Sequence, residues 1–142
     1  SFINHKRNHT EITVHIECHS DHPPVFISVN GVWKPISQLQ LAICGVKDED
    51  LAEEVEIMQM ESDRRKATSH LIQPCVLEML RPRKVQNVVV PRLQFVKSTD
   101  GNQKIRTPKQ RYYRLVVRLM AVTGDGPVHV VQSYISDRFI VR

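Results

Sequence analysis

Apolar and polar residues alternate with a period of two along much of the chain. Every second side chain is apolar within residues 12–16 and again within residues 113–121. The same alternation at residues 92–95 ends a β-branched run over residues 88–90. A period of two is typical of half-buried β-strands, because successive side chains point to opposite faces of a sheet. The pattern therefore predicts strands rather than helices over most of the sequence.

Turn-forming residues separate the apolar segments. Asn30-Gly31 lies between Val25–Val29 and Val32–Ile36, and both turn residues tolerate the positive φ angles of a type I′ hairpin. Similar turn signals at residues 100–102 and 124–127 interrupt later segments. Roughly eight strands, spaced about ten residues apart, favour an all-β sandwich or barrel.

Two segments have less regular patterns. Residues 48–60 contain good helix formers together with β-branched residues. We expect a loop or turn over residues 48–53 and a strand over residues 54–60. The last segment, residues 134–142, is predicted to form one short strand.

Length and composition indicate one domain spanning residues 1–142. Apolar residues make up 41% and charged residues 25%, as in ordinary globular domains. No apolar run approaches the roughly 20 residues of a membrane-spanning helix, so we expect this domain not to be inserted in a membrane. The chain begins with Ser rather than Met, and we expect it to be a fragment of a longer protein. Three widely spaced cysteines argue against a disulfide framework.

Charge is segregated along the sequence although the net charge is only +5. Residues 48–63 hold eight of the fifteen acidic residues and no basic one. Residues 64–118 hold fourteen of the twenty basic residues but only two acidic ones, Glu78 and Asp100. A concentration of positive charge attracts polyanions, so the partner is expected to be a nucleic acid, an acidic membrane surface or an acidic protein.

Metal-binding and catalytic patterns are weak. His15, Cys18, His19 and His22 are zinc-ligand types, but they lack the second, distant pair of a structural zinc site. We find no phosphate-binding glycine loop, nucleophile elbow or metalloprotease motif. Cys44 and Cys75 lie within apolar segments, where thiols are usually inert. We therefore expect no enzyme activity, no cofactor, no required metal and no small-molecule substrate.

Basic residues concentrate in predicted loops, where binding residues are often found. The clusters are Arg64, Arg65 and Lys66; Arg81, Arg83 and Lys84; and Lys104, Arg106, Lys109 and Arg111. We expect several of them to converge on one surface of the sandwich. Aromatic residues, on which single strands and RNA bases stack, are few among these loops, which favours duplex DNA. The alternative is a protein-interaction sandwich whose basic face docks an acidic partner.

Five short motifs occur in a specific order along the chain. They are HKRNHxxITV at residues 5–14, SDRxK at 62–66, VxRLxF at 90–95, QRYYxLVV at 110–117 and ISDRxIVR at 135–142. Together they resemble the PhoG-like DNA-binding domain that fungal meiotic and sporulation activators share with animal myelin regulatory factors, the latter being the closer match. The resemblance implies an immunoglobulin-like (p53-like) β-sandwich that presents loops from one end to DNA.

The same resemblance implies roles for individual residues. Arg64 and Arg92 are expected to contact DNA bases directly. The expected phosphate or base-edge contacts come from Lys66, Lys104, Arg106, Lys109 and Arg111, with Arg65, Lys6, Arg7 and Arg142 as further candidates. For the parent protein, the resemblance implies a sequence-specific transcription factor that acts on RNA polymerase II genes in the nucleus. It also implies a precursor anchored in the endoplasmic reticulum membrane and a homotrimer formed through regions outside this fragment.

Overall fold

The computed structural model describes residues 2–62, 64, 66–102 and 109–142, and the regular elements within these ranges are twelve β-strands. In chain order they are β1 (Phe2–Asn4), β2 (Thr10–Glu17), β3 (Phe26–Val29), β4 (Val32–Lys47), β5 (Asp50–Val55), β6 (Ile57–Met60), β7 (Ser69–Leu71), β8 (Cys75–Leu77), β9 (Val85–Phe95), β10 (Tyr113–Thr123), β11 (Val128–Ile135) and β12 (Phe139–Val141). Within these ranges there is no helix long and apolar enough to cross a membrane.

The strands form two sheets. The larger sheet is ordered β1-β12-β10-β4-β3, with β11 also paired to β10, and β5 and β8 also paired to β4. The smaller sheet is ordered β2-β9-β6-β7. Because neighbouring strands along the chain often lie in different sheets, the sheets are held together by connections as well as by packing.

Side chains from both sheets meet in a shared core. Phe95 of the smaller sheet stacks against Tyr113 of the larger sheet, with 5.9 Å between ring centroids, and meets Phe139 edge-on at 5.5 Å. Leu93 and Ile43 are buried in the same cluster. The core face of β10 follows the predicted alternation, since its odd-numbered residues from 113 to 121 pack against the core clusters. The predicted all-β, immunoglobulin-like sandwich is confirmed.

The Asn30-Gly31 hairpin is also confirmed. Val29 of β3 pairs with Val32 of β4, and the two turn residues have φ angles of 51° and 80°. These left-handed angles are those of a type I′ turn, which Asn and Gly adopt at little cost.

Residues 48–60 differ from the prediction. The expected loop over residues 48–53 is wrong because β5 begins at Asp50 and pairs with β4. The expected strand over residues 54–60 is two strands, because β5 ends at Val55 in the larger sheet and β6 begins at Ile57 in the smaller one. Pairing with the preceding strand β4, across the two-residue turn at residues 48–49, outweighs the helix propensity of this acidic stretch.

The number and extent of strands also differ. The segment 134–142 is not one strand, because residues 136–138 separate β11 from β12. Three of the additional strands, β1, β7 and β8, have only three residues each. Such short segments are too brief to establish a period of two in the sequence.

Gly45 lies on β4 opposite Val55, the last residue of β5. Just after Val55 the chain crosses to β6 in the smaller sheet. A Cβ atom at this position would lie 2.8 Å from Cγ2 of Val55 and 3.2 Å from Cε1 of Phe95. Both distances are shorter than ordinary van der Waals contact, so a side chain here would displace the core beneath the crossing.

We predict that Gly45→Ala lowers the free energy of unfolding by about 1–3 kcal/mol, because the added methyl group overpacks the core. The matched control is Gly124→Ala, where a Cβ atom meets nothing within 4 Å, and whose effect should stay within about 0.5 kcal/mol. Urea unfolding of the two variants measures the difference. Equal stability of both variants would contradict this account of Gly45.

Candidate nucleic-acid interface

Arg92 lies in a β-bulge of β9. Thr10 and Ile12 of β2 pair with Leu93 and Val90 of β9, so Pro91 and Arg92 together oppose one residue of β2. Arg92 has a φ angle of 57°, which is rare for a residue that is not glycine. Bulges redirect the side chain of the extra residue and are frequent at binding sites. The bulge therefore gives Arg92 an orientation that regular strand geometry would not allow.

The bulge lies beside the loop that carries Arg64. Nε of Arg92 donates a hydrogen bond of 2.8 Å to the carbonyl oxygen of Met60, the last residue of β6. Arg64 follows four residues later, and the loop is closed by the Glu61–Thr68 backbone bond of 3.0 Å. Arg64 and Lys66 are both exposed. Arg64 and Arg92 are thus on neighbouring segments rather than at opposite ends of the sandwich.

A second group of basic residues lies where β9 ends. The amide of Lys6 donates to the carbonyl of Arg142 at 2.8 Å, and the amide of Arg111 donates to the carbonyl of Asp100 at 2.8 Å. The amide of Thr99, in the segment that leaves β9, donates to the carbonyl of Val141 at 2.9 Å. These bonds bring both ends of the described chain to the segment between β9 and β10. Among the exposed basic side chains here are those that the sequence predicted: Lys6, Arg7, Lys109, Arg111 and Arg142.

Arg92 lies between these two sets of residues. Its neighbour Leu93 pairs with Thr10, which follows the turn containing Lys6 and Arg7. On the other side of β9, Leu93 pairs with Gln59 just before the loop of Arg64. We call the eight described residues the basic group: Lys6, Arg7, Arg64, Lys66, Arg92, Lys109, Arg111 and Arg142. The remaining candidates, Arg65, Lys104 and Arg106, fall outside the described residues.

The predicted cluster of Arg81, Arg83 and Lys84 does not join this group, so it is not among the clusters that come together. Residues 81–84 precede β9, and the amide of Arg83 donates to the carbonyl of Cys18 at the far end of β2. With a rise of about 3.3 Å per residue, Lys84 lies about 26 Å from Arg92 along β9 and about 36 Å from Phe95. The antiparallel pairing of β2 with β9 determines this separation.

The basic group differs from four other basic residues in having no carboxylate partner within the described chain. Among the described residues, four lysines and arginines outside it form ion pairs: Lys34–Asp125 at 2.8 Å, Lys47–Glu53 at 2.7 Å, Arg83–Asp21 at 2.6 Å and Arg114–Asp48 at 2.5 Å. The hydrogen bond from Lys34, aided by Thr123, lowers the pKa of Asp125 to about 2. By contrast, no member of the basic group is ion-paired with a carboxylate among the residues that the structure describes. Its positive charge is therefore available to an anionic partner.

The acidic segment is held against the larger sheet. Besides its ion pair with Arg114, Asp48 donates its amide to the carbonyl of Tyr112 at 3.0 Å. The strand that follows, β5, is largely exposed and pairs with β4. Acidic residues thus occupy an edge of the larger sheet, while the bulge and the loop of Arg64 belong to the smaller one.

Arg138, in the segment just before β12, was not predicted as a DNA-binding residue from the sequence. The guanidinium carbon of Arg138 lies 4.1 Å from the centroid of the Tyr112 ring, a cation–π contact that orients the side chain. Arg138 belongs to the last of the five motifs, which is the only signal that singled it out. Its stacking partner could not be identified without the fold.

The potential zinc ligands Cys18 and His15 have other partners in the structure. Cys18 is buried in the core cluster with Leu39 and Leu41, and Nδ1 of His15 hydrogen-bonds to the side-chain oxygen of Asn87. Across residues 2–62, 64, 66–102 and 109–142, no three His, Cys, Asp or Glu side chains are grouped to hold a metal ion.

Residues 1–142 match the NDT80 / PhoG like DNA-binding family. Myelin regulatory factor homolog 1 of Caenorhabditis elegans is 36% identical over 146 residues, which cover 99% of this chain and 15% of that protein. An uncharacterized protein of Dictyostelium discoideum is 33% identical over 153 residues, covering 100% of this chain and 13% of that protein. The chain thus spans less than a sixth of the length of either relative.

The matched family is a DNA-binding family and not an enzyme family.

Cys44 and Cys75 lie in surroundings that disfavour the reactive thiolate form. Burial raises the pKa of the Cys44 and Cys75 thiols above the usual value. For Cys44, the positive charge of Arg118, whose Nη1 lies 3.4 Å from the sulfur, offsets this effect only in part. Since the thiolate is the nucleophile, a raised pKa reduces reactivity at neutral pH.

We predict that Cys44 and Cys75 react with Ellman's reagent more slowly at neutral pH than the same residues in the denatured chain, because burial leaves a smaller fraction of their thiols ionised. Their rates should rise as the pH increases beyond the usual cysteine range. Cys44→Ser and Cys75→Ser variants assign each kinetic phase. Reaction of either residue as fast in the folded as in the denatured protein would contradict this prediction.

Proposed function

Because this chain belongs to the NDT80/PhoG-like DNA-binding family, we propose that it is the part of a nuclear transcription regulator that binds duplex DNA in a sequence-specific manner. The observation that carries the proposal is the basic group, whose members have no carboxylate partner within the described chain. Four lysines and arginines elsewhere in the described structure, by contrast, are neutralised by carboxylates. DNA phosphates would supply the missing negative charge.

The proposed roles of the individual residues follow from their side-chain chemistry. Arg64 and Arg92 read base edges in the major groove, because the planar guanidinium can donate two hydrogen bonds to N7 and O6 of guanine. Lys6, Lys66, Lys109 and Arg111 contact phosphates, which position the domain without reading sequence. Arg7 and Arg142 adjoin Lys6 and extend the phosphate contacts. Arg65, Lys104 and Arg106 are proposed for the same role from the sequence alone.

For the full-length protein, we propose nuclear localisation and regulation of genes transcribed by RNA polymerase II. Similarity to a protein named myelin regulatory factor homolog 1 supports this proposal. A precursor anchored in the endoplasmic reticulum membrane and homotrimerisation through regions outside these 142 residues are parts of the same proposal.

Selection from a pool of random duplexes tests the function directly, and we expect enrichment of a defined motif. On the enriched duplex, neutralisation of about six phosphates should make log affinity fall with log salt at a slope near −5. If no motif is enriched while an acidic protein binds at the basic group, the domain is instead a protein-interaction module.

Replacing the base-reading residues should affect affinity and specificity together. We expect Arg64→Ala and Arg92→Ala each to weaken binding to the enriched duplex by about 1–3 kcal/mol and to relax base preference. Lys66→Ala should weaken binding to all sequences and reduce the salt slope by about 1.

The matched control is Arg83→Ala, which removes an arginine paired with Asp21 at the opposite end of β9. This variant should bind the enriched duplex like the wild type. Titrations monitored by fluorescence anisotropy measure all four variants, after thermal melting has established that each is folded. Normal specificity in the folded Arg64 and Arg92 variants would refute their assignment.

A further inference from the structure

The bulge at Pro91 and Arg92 is a strained segment that the rest of the sandwich must hold in place. Arg92 adopts a left-handed φ angle of 57°, a conformation that persists in non-glycine residues only when neighbouring contacts enforce it. Pro91 has no amide hydrogen and cannot donate to a neighbouring strand. Pairing with β2 shifts register here, so β2 alone does not fix the bulge.

Strand β6 holds the bulge through side chains where its regular pairing stops. The last residue pair between β6 and β9 joins Gln59 to Leu93. Beyond it, Nε2 of Gln59 donates a hydrogen bond of 3.1 Å to the carbonyl oxygen of Pro91. Nε of Arg92 donates one of 2.8 Å to the carbonyl oxygen of Met60. These two bonds cross between the strands in opposite directions and fix both residues of the bulge.

The bond from Gln59 fixes the backbone carbonyl of Pro91, and the bond to Met60 fixes the guanidinium group of Arg92. The bond to Met60 uses only Nε, so the two terminal nitrogens remain on the outer edge of the planar group. A bidentate contact with guanine requires that this edge be correctly oriented. Rotation of the Pro91 carbonyl would change the φ angle at Arg92 and turn that edge away.

The position of Gln59 indicates that it acts through Arg92. Residues paired across neighbouring strands point to the same face of a sheet. Gln59 is paired with Leu93, which is 1% exposed in the core. Gln59 itself is only partly exposed, and its side-chain amide is engaged with Pro91. This places the Gln59 side chain on the inner side of the bulge, away from a ligand bound over Arg92.

We propose that Gln59 is a positioning residue that sets DNA sequence preference by holding the bulge of Arg92. The proposal rests on the proposed function, since it takes Arg92 to be a base-reading residue. Loss of the Gln59 amide would leave the charge of the basic group unchanged. It would therefore alter discrimination between sequences more than general attraction to DNA.

The test compares Gln59→Met with Gln94→Met. Both substitutions replace glutamine by an uncharged side chain of similar length, and Gln94 lies on β9 opposite Met58. In the described chain no hydrogen bond is assigned to the Gln94 side chain, which makes it a matched control. Gln59→Asn is a second variant, which keeps the amide but shortens its reach to Pro91.

Discrimination is the ratio of affinities for the selected duplex and for a duplex changed at the base pair whose preference depends on Arg92. We expect Gln59→Met to reduce this ratio by about three- to tenfold, a part of the about 5- to 150-fold that a bidentate contact provides. The salt slope and the affinity for the changed duplex should stay unchanged. Gln94→Met should match the wild type, and Gln59→Asn should resemble Gln59→Met.

A second arm repeats Gln59→Met in the Arg92→Ala background. If Gln59 acts through Arg92, its replacement there has no further effect on discrimination. Equal discrimination by Gln59→Met and Gln94→Met would overturn the positioning role while leaving Arg92 as a base reader. An equal loss in both backgrounds would also overturn it. Unaltered discrimination in Arg92→Ala alone would instead refute the base-reading assignment on which the inference depends.

Discussion

The bulge at Pro91 and Arg92 is the constraint on which the arrangement of the candidate interface depends. It interrupts pairing with β2 on one side of β9, and on the other side it is held by hydrogen bonds to Gln59 and Met60. Because Met60 is followed by the loop of Arg64, the bond that orients Arg92 also ties that loop to β9. A rigid attachment of this kind lowers the conformational entropy lost when such side chains bind a ligand.

Ion pairing divides the basic residues into structural and available ones. Arg114 is neutralised by Asp48 and Lys47 by Glu53, at the connection between β4 and β5. These paired bases are held by nearby acidic residues, whereas the loops beside β9 carry bases without such partners in the described chain. This division explains how a modest net charge of +5 can still produce a local surface suited to a polyanion.

Much of the fold could be predicted because strand periodicity and turn chemistry are local. The alternation in β10 and the Asn30-Gly31 turn each follow from a few adjacent residues. The acidic segment was predicted wrongly because residues 50–55 lack an apolar alternation, and their strand is evident only from the pairing with β4. Likewise, Arg83 and Arg64 look alike in the sequence, and only the direction of β9 places them at different ends.

The sequence alone determined the fold class, the charge segregation and the type of residue able to recognise DNA, because these depend on composition, short-range order and the recurrence of motifs. The tertiary structure decided which arginines share a region, which are neutralised by carboxylates, and that Gln59 supports Arg92. Most of those relations join residues about thirty or more positions apart, such as Met60 and Arg92. Strand register and hydrogen bonding between distant segments determine them, and neither is encoded in local sequence pattern.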